Sequence, residues 1–175
     1  MMTNLMLMTL TSLATTALPD GWKIYTPDGG QCRIAFANEP KFAKVPFDTS
    51  AGTAEMHLYS DGDMNDEVSF ALMWNDFPAV AGRDLSGELA QQALDKGRDG
   101  WVQSVQGKLG REKKLKIGRH VGREFSIRLE GGKWMRVRLF LADHRLFQIG
   151  VRGSEDVVFG ATGDEFVGSF RLLMK

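Results

Sequence analysis

Between residues 119 and 153 the chain reads as strand-like segments of period two, broken at tight-turn residues. Met135, Val137, Leu139 and Leu141 alternate with Trp134, Arg136, Arg138 and Phe140. That alternation marks a β-strand, because successive side chains leave opposite faces. The breaks fall at Gly131-Gly132 and at Asp143-His144. Such residues accept the backbone of a hairpin turn. Consecutive hairpins force neighbouring strands to run antiparallel, which excludes the parallel sheet of a βαβ fold.

Shorter segments upstream extend the sheet. Trp22 to Thr26 and Cys32 to Phe36 read as strands joined by Pro27-Asp28-Gly29-Gly30. In residues 53–60, Ala54, Met56 and Leu58 alternate with Thr53, Glu55 and His57. Val68, Phe70, Leu72 and Trp74 share one face of a further strand. Residues 84–104 change period. Leu85, Leu89, Ala90, Ala93, Leu94, Gly97 and Trp101 form one helical stripe after a capping Asp84, and Leu85, Leu89, Leu94 and Trp101 are expected to face the sheet. A second helix is expected near the end, with Val158, Ala161, Phe166 and Phe170 on one face and Gly160 and Gly163 weakening it. The fold class expected is α/β of the α+β type, an antiparallel sheet covered by helices. Residues 20–175 suit one domain with its own core.

The order of short motifs resembles a known class. Trp22, Tyr25, Pro27, Gly29 and Gly30 open it, and Asn38-Glu39-Pro40 follows. Then come Thr49 with Gly52-Thr53, the strand with Trp74, the helix, and Gly122-Arg123-Glu124-Phe125. It closes on the segments Arg145 to Val151 and Ser169 to Leu172. In these respects residues 20–174 resemble the small exported bacterial domains of the PsbP-like class, which includes DcrB-like periplasmic proteins. The resemblance implies a three-layer α/β/α sandwich. It implies fold more than activity, since the class holds photosynthetic subunits, an import factor and proteins of unknown role. It supplies no set of active-site residues.

Residues 1–19 carry no charge. Leu5, Leu7, Leu10 and Leu13 precede small residues, with Thr15 and Ala17 placed as at a cleavage site. This reads as an export signal or else a disordered N-terminal segment, since no Lys or Arg precedes it and threonine dilutes it. A periplasmic or secreted location follows as an expectation. No stretch of ~20 apolar residues is present to span a membrane.

Catalytic signals are sparse. Cys32 is the sole cysteine and shares a strand face with Ile34 and Phe36, so it reads as core. His57, His120 and His144 lack any paired metal-ligand spacing and read as surface groups. Ser104, Ser126, Ser154 and Ser169 sit in no nucleophile motif, and no phosphate-binding glycine loop follows a strand. Asp61, Asp63 and Asn65 space oxygens as a cation loop would. Asp66 stands where such a loop needs glycine and Leu72 where it needs glutamate, so a solvated turn is expected. No cofactor, metal site or catalytic residue is assigned.

Charge is the informative feature. The chain has 22 basic and 22 acidic residues, so no global field favours nucleic acid. Yet seven acids and no bases lie between Lys44 and Arg83, while twelve bases and four acids lie from Lys108 to Arg145. Residues 108–123 are expected to form an exposed basic hairpin, carrying Lys108, Arg111, Lys113, Lys114, Lys116 and Arg119. These cations bind an anionic partner, pair internally with the acids around residues 61–67, or simply face water. Arg123 conflicts with its strand, because it shares a face with Val121, Phe125 and Ile127. Gly122 could make a bulge that turns it out, a helix could cover it with a partner, or it could grip a ligand.

The reading is a non-catalytic, exported binding or accessory domain for an unknown protein or small anionic ligand. The alternative is an envelope-located enzyme or metal-binding protein with a site assembled from distant residues. A pocket with converging polar groups and perturbed carboxyls would favour that alternative.

Overall fold

A computed structural model describes residues 18–49, 52–63, 67–77 and 87–173. The expectation for residues 1–17 lies outside the described residues. The chain runs β1 (Lys23–Tyr25), β2 (Cys32–Phe36), β3 (Lys41–Thr49), β4 (Gly52–Asp61), β5 (Ser69–Asp76) and α1 (Gly87–Ser104). It continues through β6 (Lys108–Ile117), β7 (His120–Arg128), β8 (Trp134–Ala142) and β9 (Arg145–Gly153). Helices α2 (Glu155–Phe159) and α3 (Ala161–Ser169) and strand β10 (Arg171–Leu172) complete it.

Seven strands form one sheet in the order β3-β4-β5-β9-β8-β7-β6, antiparallel at every described pairing. Two meanders meet at β5 and β9. Helix α1 carries the chain from β5 to the far edge, and three hairpins bring it back. The first of these hairpins leaves β6 as an edge strand. A smaller sheet of order β1-β2-β10 is separate. The architecture is α+β and mostly antiparallel sheet.

Both faces of the large sheet are covered. Ala90 and Leu94 of α1 pack with Phe125, Val137 and Leu139 on one face. Phe166 and Val167 of α3, with Ile34 and Phe36 of β2, pack on Leu72, Trp74, Phe147 and Ile149 of the other. This double coverage explains Phe140, which alternation put with the polar residues of β8 and which is 3% exposed. It also inverts β4. Tyr59, on the side of His57, is buried, whereas Met56 and Leu58 are half-buried.

Helix α1 corrects one expectation. Leu89 is 55% exposed and does not face the sheet. Ala90, Leu94, Gly97 and Trp101 lie within one narrow arc at about 100° per residue, and Leu89 stands about 100° away from it. Residues 84–86, Leu85 among them, lie outside the described residues. Trp101 is half-buried, and its indole N–H donates to Gln148 Oε1 at 2.7 Å. Leu94→Ala is therefore expected to cost about 2–5 kcal/mol in chemical denaturation. Leu89→Ala should stay within about 0.5 kcal/mol, the range of surface changes.

The terminal helix is two helices. A Cβ on Gly163 would overlap the Val158 carbonyl oxygen, and one on Gly160 would overlap that of Asp156. The two glycines thus allow a tight break between α2 and α3. Ala161 is exposed, and Phe170 is buried just beyond α3.

Candidate functional site

Strand β6 is the sheet's most cationic element, and its first seven residues are all exposed. Its register with β7 sets its two faces. Lys113, Leu115 and Ile117 stand opposite Glu124, Gly122 and His120, on the α3 side. Glu112, Lys114 and Lys116 lie on the side of α1, with Lys114 opposite Arg123 and Lys116 opposite Val121. The pairing is regular from Glu112 to Ile117, and a bulge lies between Leu109 and Glu112.

Three charges of the hairpin are neutralised within the fold. Lys113 Nζ lies 2.9 Å from Glu124 Oε1. Arg119 lies 3.3 Å from Asp143. Arg123, 6% exposed, is paired beneath α1. It meets Asp95, lies 2.8 Å from Glu112 Oε1, and donates to Gln91 Oε1 at 3.1 Å. Of the three readings of Arg123, the covered and paired one is observed. Gly122 makes no bulge, since β7 pairs regularly with β8 across it. The second strand of the basic hairpin is therefore buried from Gly122 to Ile127, and the hairpin's exposed cations up to Arg119 lie on β6 and its turn.

The other four cations stay open. Lys108, Arg111, Lys114 and Lys116 make no ion pair among the described residues. Internal pairing with the acidic segment does not occur there. Strand β4, which ends at Asp61, stands five places from β6 in the sheet, about 24 Å at the usual strand spacing. Asp61 accepts instead from the Asn38 backbone and side chain, and Asp63 lies 3.5 Å from Lys41.

Two clefts flank β6. One of about 340 Å³ lies on the α3 side, walled by Leu115, Ile117, Phe140, Val167 and Phe170, with Arg138 and Arg171 at its border. Phe140 and Phe170 stack there with ring centres 5.7 Å apart. The other, of about 280 Å³, lies by Gln91, Lys114, Lys116, Val121 and Gly122. Arg138 donates to the Val167 carbonyl at 2.9 Å, so the end of α3 is tied to the sheet beside the first cleft.

Beneath β6 sits a buried network that sequence reasoning missed. Glu124 is 10% exposed at its side chain and meets Lys113, Arg138 and Arg136, the last at 3.0 Å. Arg136 also reaches Asp164 of α3 at 2.6 Å. Burial alone would push the Glu124 carboxyl up. Hydrogen bonds from Lys113 and Arg138, with the charges of Arg138 and Arg136, outweigh it and draw it down to about 2. Asp76 is also held low, by its hydrogen bonds from Arg145. A carboxyl so neutralised stays ionised at neutral pH and does not act as a general acid. Neither group borders the clefts at β6.

The remaining candidates are dispersed. Cys32 is fully buried, and burial pushes its thiol up to about 12, so it is core and not a nucleophile. His57 stacks on Trp74 with ring centres 4.9 Å apart. Ser126 and Ser169 accept backbone N–H groups, and Ser154 caps α2. No group of three His, Cys, Asp or Glu able to hold a metal occurs among the described residues. Among them, no helix is long and apolar enough to cross a membrane.

No protein-family model matches the chain, and no curated protein matches it in sequence. Among solved structures it is similar to the solution structure of cyanobacterial PsbP (CyanoP) from Synechocystis sp. PCC 6803. The TM-score is 0.55 at 12% identity, over 93% of this chain and 98% of that chain. At that identity the likeness establishes a fold. The fold is PsbP-like, as the motif order from Trp22 to Leu172 implied.

Proposed function

We propose that this chain is an exported, non-catalytic accessory domain that binds an anionic partner along β6. The observation that carries the reading is the set of open cations, Lys108, Arg111, Lys114 and Lys116, on the free edge of the sheet. Cations concentrated on one exposed element speed encounter with an anionic surface and make binding sensitive to salt. In the same reading the helices and the small sheet form the outer layers of a three-layer α/β/α sandwich, with the sheet as a rigid platform.

Replacing Lys108, Lys114 and Lys116 with glutamine is expected to weaken binding of polyglutamate, the probe anion, by about tenfold or more, with little change in Tm. Wild-type binding should fall steeply between 0.1 M and 1 M salt, where the Debye length shrinks from ~10 Å to ~3 Å. Lys113 is kept out of the set because it neutralises Glu124. Unchanged affinity in the triple variant would sink the reading.

Export rests on the charge-free residues 1–19 and their small residues near position 17. The mass of the protein made in its native host tests it. A mature chain beginning near residue 18 supports export, and an intact Met1 contradicts it.

A further inference from the structure

Edge strands offer unpaired backbone N–H and C=O groups, and proteins usually blunt them with prolines, bulges, short length or charge. The two edges of this sheet differ. Strand β3 carries Pro46 at its middle. Strand β6 has ten residues and no proline, and its bulge is confined to the first half. Its defence is charge: its lysines disfavour a neutral or basic strand but not an acidic one. From Glu112 to Ile117 it is regular, exposed or half-buried, and among the described residues paired on one side only.

Its two faces differ in chemistry. On the α1 side Lys114 and Lys116 are open cations above a cleft that holds no carboxylate. On the α3 side Lys113 is neutralised by Glu124, which leaves Leu115 and Ile117 beside an apolar cleft floored by Phe140 and Phe170. A strand added at this edge places its side chains alternately over these faces. We infer that β6 receives an extended polypeptide segment of alternating acidic and apolar residues as a further strand of the sheet. This rests on the anion-binding reading above and names its partner. The acidic side chains meet Lys114 and Lys116, and the apolar ones lie over Leu115 and Ile117 toward the larger cleft. Main-chain bonds hold the segment, and the two clefts select its side chains. A second copy of this chain is a poor occupant. Registers that pair residues 112–117 with themselves set lysine opposite lysine, which is unfavourable.

The test uses the full chain and three probes. One is a peptide of about ten residues alternating Glu and Val, the length of a long strand. The second has the same composition with its glutamates and valines in separate blocks, and the third is polyglutamate. The alternating peptide is expected to bind at least about tenfold more tightly than the block peptide. It should also slow hydrogen exchange at every second amide between residues 112 and 117. The change Leu115→Thr, which removes apolar surface at this half-buried position without adding charge, should abolish the preference for the alternating peptide while the protein stays folded. Equal binding of the two peptides, or no slowed amide in β6, overturns strand addition. If polyglutamate still binds in that case, the anion-binding reading stands alone. If no probe binds, both fall. A β6-mediated dimer in place of peptide binding also overturns it.

Discussion

Glu124→Gln is expected to lower folding stability by about 3–5 kcal/mol, the usual cost of removing one partner from a buried ion pair. The amide keeps the volume and loses the charge. Arg136, with a side chain 9% exposed, and Arg138, at 20%, would then face each other without the carboxylate between them. Asp164 still neutralises Arg136 from α3, so the protein should fold and the loss should be measurable by chemical denaturation. The same residue governs acid sensitivity. Its folded value of about 2 lies below the ordinary 4.5, so the unfolded chain takes up the proton first. The stability from Glu124 is complete above about pH 4.5 and is lost as pH falls toward 2. It amounts to about 3 kcal/mol at 1.36 kcal/mol per pKa unit. The gap between wild type and Glu124→Gln should therefore narrow through that window. A gap independent of pH would show that the amide disrupts packing and not charge.

Gly122→Ala should cost about 3 kcal/mol, at the upper end for overpacking a core. A Cβ there would stand 2.6 Å from the Leu139 carbonyl oxygen and overlap the Phe140 ring. Phe140 lies opposite Gly122 across β7 and β8. The missing side chain lets that ring lie over the strand and stack on Phe170. Gly122 thus shapes both clefts, bordering one directly and placing the ring that floors the other. Gly168→Ala is the control. It sits in α3 with nothing within 4 Å of an added Cβ, and it should gain up to about 1 kcal/mol as a helical Gly→Ala change. Equal losses at the two positions would contradict the close approach at Gly122.

The sheet was legible because alternation and turn residues specify hairpins locally. Trp134 to Ala142 and Arg145 to Gly153 pair as the turn at Asp143-His144 requires. The exposed basic strand was legible too, since so many lysines cannot be buried unpaired. Leu89 was misplaced because a broad apolar stripe does not tell which edge of it meets the sheet. Alternation suggested one buried face, whereas helices cover both, and that hid Phe140 and Arg136. The Glu124 network had a signal in the register. The turn at Gly131 and Gly132 sets Glu124 opposite Arg138, and a carboxylate opposite an arginine between covered faces marks a buried pair. The pairing of Arg123 with Asp95 joins β7 to α1, a contact that no local pattern specifies.

The most direct measurement is an NMR titration of the isotope-labelled full chain with polyglutamate at low ionic strength. Shift changes should concentrate on Lys108 to Ile117 and on the cleft residues beside them, Gln91, Val121 and Phe140, and added salt should reverse them. Shift changes on β3 or the small sheet, or none along β6, would contradict the assignment of the binding surface to this edge.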